Sequence, residues 1–380
     1  MKNKYVRLAL IGFALWLFAC GEKAAVNPPQ QNEPSALDQA LQAEMSKDGL
    51  PSLAACIIKG DKIVWQNFYG YSNVADKKIP NEETIYVLAS ISKTVTATAV
   101  MQLWEKGQLD LDRDINEYLP FKIRNPRFPD DPITTQHLLT HRSGIAWPNG
   151  EDPNFYRTYP NDTAPALGPW LREYLVPGGT EYVAAMWKNT RPGTVFEYSN
   201  VGGSLLGYLV EAITGDDFGE YCRKNIFAPL EMNDSGFRLR DVASDRLAGI
   251  YTSAMAPTGH YSVKFYPATT MRSSIKEFSH FAMACLNGGE YNGKRILQAA
   301  TINEMLRLHV PNPGVGLIWW NFGNGYAGHN GSFIGVSSNL SINTAEKFAL
   351  LIFTNIFNKA TVYPGGKIYE LIRQEATKYR

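Results

Sequence analysis

The chain predicts an α/β fold in which strands from both ends build one sheet around a helical, loop-rich insertion. Three observations carry that expectation. Near the start, residues 53–59 and 62–69 are two strand-like runs separated by Gly60-Asp61, the pattern of a hairpin. Near the end, residues 333–342 and 348–355 read as two more strands. From 109 to about 237 the pattern changes to helices and long loops.

The elements follow in order. Residues 1–19 carry Lys2, Lys4 and Arg7 and then an apolar run, 8–18. The run is shorter than the ~20 residues of a membrane span, so it reads as an export signal. It closes on Leu17-Phe18-Ala19-Cys20, which resembles a bacterial lipobox and implies lipidation of Cys20. Residues 20–35, rich in Asn, Gln and Pro, suit a flexible tether. A single domain, 36–378, is expected after it, with an α/β lobe (36–108 plus about 238–378) and a helical lobe (about 109–237). Residues 37–45 form an amphipathic helix that precedes the hairpin. Residues 94–103 are small and apolar, a buried helix that stops at Lys106-Gly107. The stretch 147–179 is dense in Pro, Gly, Asn and aromatics without a clear period, and reads as a long loop at a functional rim. Ser274 and Glu277 read as a capping box for a helix over 278–286. Residues 366–378 close the chain with a helix.

Composition narrows the function. The net charge of +1 argues against nucleic acid as a partner. No phosphate-binding or dinucleotide glycine pattern occurs, so no cofactor is expected. With Cys20 lipidated, Cys56, Cys222 and Cys285 remain, an odd set that reads as core residues and not as a disulfide framework. None has metal-ligand spacing. His137 and His141 stand at i and i+4, but no glutamate lies between them, and no metal is expected.

The chemistry concentrates in three short strings. Ser90-Ile91-Ser92-Lys93 opens the buried helix. Side chains three apart share a helix face, so the Ser90 hydroxyl and Lys93 amine can meet. A serine needs a base, and a lysine with a depressed pKa can be one. Tyr198-Ser199-Asn200 can add a proton relay and an amide that holds the substrate. Both patterns recur, as Ser273-Ser274-Ile275-Lys276, Tyr71-Ser72-Asn73 and Tyr159-Pro160-Asn161. Those copies have local explanations as a helix cap and two turns. The third string is Gly328-His329-Asn330-Gly331-Ser332, whose glycines allow close backbone approach. A strand edge here can offer N–H groups to an oxyanion, beside the Ser90 N–H at its helix start.

In this order the strings resemble the serine hydrolases related to class C β-lactamases and penicillin-binding proteins. The resemblance runs from about Ala36 to Ile372 and includes His137-Leu138-Leu139-Thr140-His141-Arg142-Ser143-Gly144, Pro192 to Asn200, and Pro229-Leu230-Glu231-Met232. It implies a β-lactamase/transpeptidase-like fold, with an antiparallel sheet flanked by helices. It implies Ser90 as acylated nucleophile, Lys93 as base, Tyr198 as relay and Asn200 as a substrate contact. The N–H groups of Ser90 and Ser332 would form the oxyanion hole, with His329 and Gly331 on the substrate strand, and both motif histidines become structural. One departure matters: these relatives usually have lysine at His329, where it helps hold a substrate carboxylate. A histidine is a weaker, pH-dependent cation. An ester or small amide is therefore expected before a β-lactam or a D-alanyl peptide. Trp147, Trp170, Trp187, Trp319 and Trp320 fit a rim for an apolar acyl or leaving group, with core packing as the alternative for each. The expected partners are a small ester, amide or cell-wall peptide, and a membrane reached through the lipid. The expected location is the bacterial cell envelope, facing the periplasm or exterior. The alternative from another class is a catalytically silent sensor of cell-wall peptides.

Overall fold

The computed structural model describes residues 34–146, 152, 154–357 and 359–380. The export signal, Cys20, residues 20–33 of the tether and Trp147 lie outside the described residues. Within the described residues, six antiparallel strands form the main sheet: β1 (Ser52–Lys59), β2 (Lys62–Gly70), β3 (Trp320–Gly323), β4 (Tyr326–Phe333), β5 (Val336–Asn343) and β6 (Phe348–Thr354). Their spatial order is β3-β4-β5-β6-β1-β2, so the last strand pairs with the first, from Leu53↔Thr354 to Lys59↔Phe348.

The alternation of a strand explains why the sheet is covered on both faces. Ala54, Cys56 and Ile58 of β1 join Ala349, Leu351 and Phe353 of β6 in one core, shared with the inner helices. Leu53, Ala55 and Ile57 join Phe348, Leu350 and Ile352 in a second core, under the helices Ala36–Asp48 and Lys367–Ala376. Cys56, Cys222 and Cys285 are free and buried, as their composition suggested.

Four details differ from the sequence reading. The run 333–342 is broken by a two-residue turn at Ile334-Gly335, where Gly335 has φ +68° and an added Cβ would lie 1.7 Å from Ile250. Apolar residues on both sides of the turn hid it. The Gly328–Ser332 string is itself strand, inside β4; pairing with β5 overrides the poor strand propensity of Gly and Asn. The stretch 147–179 contains a helix, Leu167–Leu175, which buries Leu167, Trp170, Leu171, Tyr174 and Leu175, a 3.6-residue pattern masked by Gly168 and Pro169. Tyr159–Pro160 is a short strand against Tyr261–Ser262 rather than a plain turn.

Candidate active site

The Ser90 turn is held in a strained shape from both sides. Ala89 has φ +48°, a left-handed conformation that costs a non-glycine residue roughly 1–2 kcal/mol. Ser92, between the two predicted site residues, supplies the brace. Its hydroxyl donates to Ala89 O at 2.5 Å and accepts from Met271 N at 3.0 Å, while Leu88 N donates to Met271 O at 2.8 Å. Ser90 therefore sits in a short 3-10 turn, Ala89–Ile91, with the α-helix beginning at Ser92. That helix is buried from Ser92 to Leu103. The extra 3-10 turn did not prevent the expected meeting: Lys93 Nζ lies 3.1 Å from Ser90 Oγ.

Lys93 has two further partners, Asn200 Oδ1 at 2.7 Å and Ala268 O at 2.9 Å. It is fully buried, and desolvation lowers its pKa well below the ordinary 10.5. A neutral amine has two hydrogens and one lone pair. Asn200 and Ala268 offer only oxygen acceptors, so they take the hydrogens, and the lone pair is left for the Ser90 hydroxyl proton. Tyr198 is hydrogen-bonded to Ser90, and its ring lies 4.8 Å from Lys93 Nζ. Burial raises the phenol above its ordinary 10.0. Desolvation thus favours the neutral form of both groups, and a neutral amine is a base while a neutral phenol is an acid. The two are suited to opposite halves of a proton transfer.

The Tyr198 loop is positioned by capping and by His141. Ser199 caps the helix Asn200–Thr214, its hydroxyl accepting from Gly202 N at 3.0 Å. His141 Nδ1 accepts from Ser199 N at 3.3 Å, its carbonyl accepts from Glu197 N at 2.7 Å, and its ring lies 4.5 Å from that of Tyr198. Gly203 on the same helix leaves room for the Lys93 stem: an added Cβ would sit 3.1 Å from Lys93 Cε. His137 is a capping residue, accepting from Thr134 N through Nδ1. Among the described residues no group of three or more His, Cys, Asp or Glu could hold a metal. The decoy pair separates: Ser273 meets Ser235 at 2.6 Å, and Lys276 pairs with Glu83 at 3.2 Å. Ser274 caps its helix through Glu277 N, but the Glu277 carboxylate accepts from Asp234 N and Ser235 instead of closing a box.

Strand β4 forms the opposite wall. Its two-residue hairpin makes Phe333↔Val336 the first ladder pair, and antiparallel alternation turns the Ser332 N–H away from β5. Gly331 is where the strand closes on the nucleophile turn. An added Cβ would lie 2.2 Å from both Leu88 O and Ser338 Oγ. Gly331→Ala is expected to destabilise the fold by about 1–3 kcal/mol and to slow ester acylation by about tenfold or more, as β4 moves off Ser90. Thermal unfolding and stopped-flow acylation check this; an unchanged rate would separate β4 from the chemistry.

His329 is buried beside Tyr198, with ring centroids 6.1 Å apart. Nδ1 lies 2.6 Å from Asn330 O, a carbonyl, so that nitrogen carries the proton. Desolvation pulls its pKa well below the ordinary 6.5. The expectation of a pH-dependent cation is corrected: at neutral pH this imidazole is uncharged.

A cavity of about 970 Å³ opens over Ser90, with Phe196, Trp320, Phe322 and Phe333 on its walls and Ser332 and His329 at its floor strand. Of the tryptophans expected at the rim, Trp320 is there. Trp170, Trp187 and Trp319 are only 2% exposed and belong to the core. Ala268 and Ser92 went unnoticed in the sequence. A backbone carbonyl leaves no trace in side-chain chemistry, and the bracing bond that Ser92 accepts from Met271 N is tertiary.

The family model described as "Beta-lactamase" matches residues 37–372. Among curated proteins, "Protein flp" of Staphylococcus aureus is 22% identical over 326 residues, which cover 84% of this chain and 62% of that protein. The chain thus spans less than two thirds of the length of that relative. Among solved structures, a class C β-lactamase superposes with TM-score 0.70 at 18% identity, covering 90% of this chain and 98% of its own. A β-lactamase/D-alanine carboxypeptidase from Pseudomonas syringae gives 0.68 at 21% identity, covering 90% and 99%. At these identities the structural likeness speaks for the fold.

Proposed function

The chain belongs to the β-lactamase family, whose members are serine hydrolases, and on that premise we propose that it cleaves an ester or small amide through an acyl-enzyme on Ser90. The carrying observation is the placement of Lys93, whose hydrogens are committed to Asn200 and Ala268 while Ser90 Oγ lies 3.1 Å away. Neutral Lys93 takes the Ser90 proton as Oγ bonds to the substrate carbonyl carbon. The resulting oxyanion faces the N–H groups of Ser90 and Ser332. The Tyr198 phenol gives its proton to the departing alkoxide or amine as the carbonyl–heteroatom bond breaks, and Lys93 returns a proton to Tyr198. Water then repeats the sequence and releases the acid. Asn200, a substrate contact by its family position, also anchors the Lys93 amine.

A panel of a chromogenic ester, a cephalosporin and a D-alanyl peptide tests this reading. The ester is expected to turn over with the highest kcat/KM. Turnover of none of them, with no adduct on Ser90, would instead favour a silent binding protein.

The lipobox-like Leu17-Phe18-Ala19-Cys20 supports a further part of the proposal: the enzyme is held at the bacterial cell envelope by lipid on Cys20 and works outside the cytoplasm. Stable anchoring needs more than one acyl chain. Wild-type protein made in a lipoprotein-processing bacterium is expected in the detergent phase, and Cys20→Ser in the aqueous phase or unprocessed. Wild type wholly in the aqueous phase would refute the anchor.

A further inference from the structure

The cavity over Ser90 has a charge pattern that narrows the substrate. Its walls are aromatic and aliphatic: Trp320 meets Phe196 edge-on at 5.5 Å, and Phe322, Phe333 and Ile334 continue the apolar surface. Among the described residues that line it there is no lysine or arginine. Among the described lining residues the one formal charge is negative. It belongs to Glu197, whose carboxylate is 29% exposed and lies 3.5 Å from Lys188. Lys93 is fully buried, with its amine committed to three internal partners, so it offers nothing to an incoming anion. The nearest candidate cation on β4 is His329, which is neutral; its Nδ1 is spent on Asn330 O and its Nε2 has no partner.

A carboxylate drawn into this cavity would lose water, gain no counter-ion and meet Glu197. An apolar group of the same size would gain from burial, roughly 25 cal/mol for each Å² removed from water. We propose that the site selects esters carrying a bulky, uncharged apolar group next to the scissile carbonyl and discriminates against substrates with a carboxylate there. This rests on the Ser90 acyl-enzyme reading and adds the substrate class to it. Trp320 and Phe196 grip the apolar group, and Glu197 contributes to the rejection of anions.

The test compares kcat/KM within pairs that differ only by a terminal carboxylate. On the acyl side the pair is para-nitrophenyl hexanoate and the mono-para-nitrophenyl ester of adipic acid. On the alcohol side it is phenyl acetate and para-carboxyphenyl acetate. The neutral member of each pair is expected to win by about 30-fold or more. Glu197→Gln is expected to shrink the ratio about threefold, an effect limited by exposure and by Lys188. Trp320→Ala is expected to cost about tenfold on the hexanoate and less on the acetate. Fluorophosphonate labelling of Ser90 is run alongside. Labelled Ser90 with ratios near one, or favouring the carboxylate, overturns the substrate inference and leaves the mechanism standing. Absence of both labelling and turnover overturns the mechanism itself.

Discussion

Ser90→Ala is expected to lower ester kcat by about 10⁴-fold or more while leaving the fold intact. The size follows from the role. Removing the nucleophile of a serine hydrolase removes the covalent route entirely, and what remains is the residual effect of the oxyanion site and of binding. The substitution deletes one oxygen from a side chain already beside the cavity, so no large void forms. Lys93 keeps Asn200 and Ala268 as partners, so its buried amine is not orphaned. Circular dichroism and thermal unfolding close to wild type, with turnover near background, are the expected pair of results. A Ser90→Ala protein that retains most of its activity would move the nucleophile elsewhere.

Lys93→Met is expected to cost about 10³–10⁴-fold in kcat, because Lys93 is the basic nitrogen hydrogen-bonded to Ser90 Oγ. The Tyr198 phenol is held protonated by burial, and His329, though neutral, points its lone proton-free nitrogen into a position without partners. Methionine matches the length of the lysine stem but leaves Asn200 Oδ1 and Ala268 O without their donor, so a stability loss of about 1–3 kcal/mol should accompany the loss of rate. The pH profile separates the two effects. The base is active when deprotonated, so wild-type kcat/KM rises with pH through the lowered Lys93 pKa and is lost below it. That acid limb lies well under the ordinary 10.5 of lysine. The Tyr198 proton is needed for the leaving group, so the alkaline limb comes only above the ordinary 10.0 of tyrosine. A wild-type acid limb near 10.5 would contradict the desolvated amine. In Lys93→Met the acid limb is expected to disappear from the residual activity; its persistence would assign the limb to another group.

Much of the site was legible because its residues carry unusual chemistry in unusual places. A lysine in the first turn of a helix buried from Ser92 to Leu103 needs a reason, and Lys93 has it in Ser90, Asn200 and Ala268. Tyr198 and Asn200 lie more than 100 positions later in the chain, yet the cap at Ser199 and the glycine at 203 bring their helix onto the Lys93 stem. The sheet was legible at β1, β2 and β6, where apolar runs and a Gly-Asp turn dominate. It was less so at β3, a four-residue edge strand, and at β4, where Gly, His, Asn and Ser form strand through pairing with β5. Ala89 illustrates what sequence does not carry: an alanine gives no hint of a positive φ, which Ser92 and Met271 impose through tertiary hydrogen bonds. The tryptophans misled in the other direction. Trp170, Trp187 and Trp319 are large enough to fill core space, and of the described four only Trp320 reaches the cavity.

The central claim is that Ser90, activated by Lys93, forms a covalent acyl-enzyme. Rapid quenching of the protein with a slowly deacylating ester, followed by intact mass and peptide mapping, tests it most directly. The expected result is one acyl group per chain, located on Ser90 and absent from Ser90→Ala. An adduct on Ser273 or another residue, or hydrolysis at full rate with no acyl group on any serine, would contradict it.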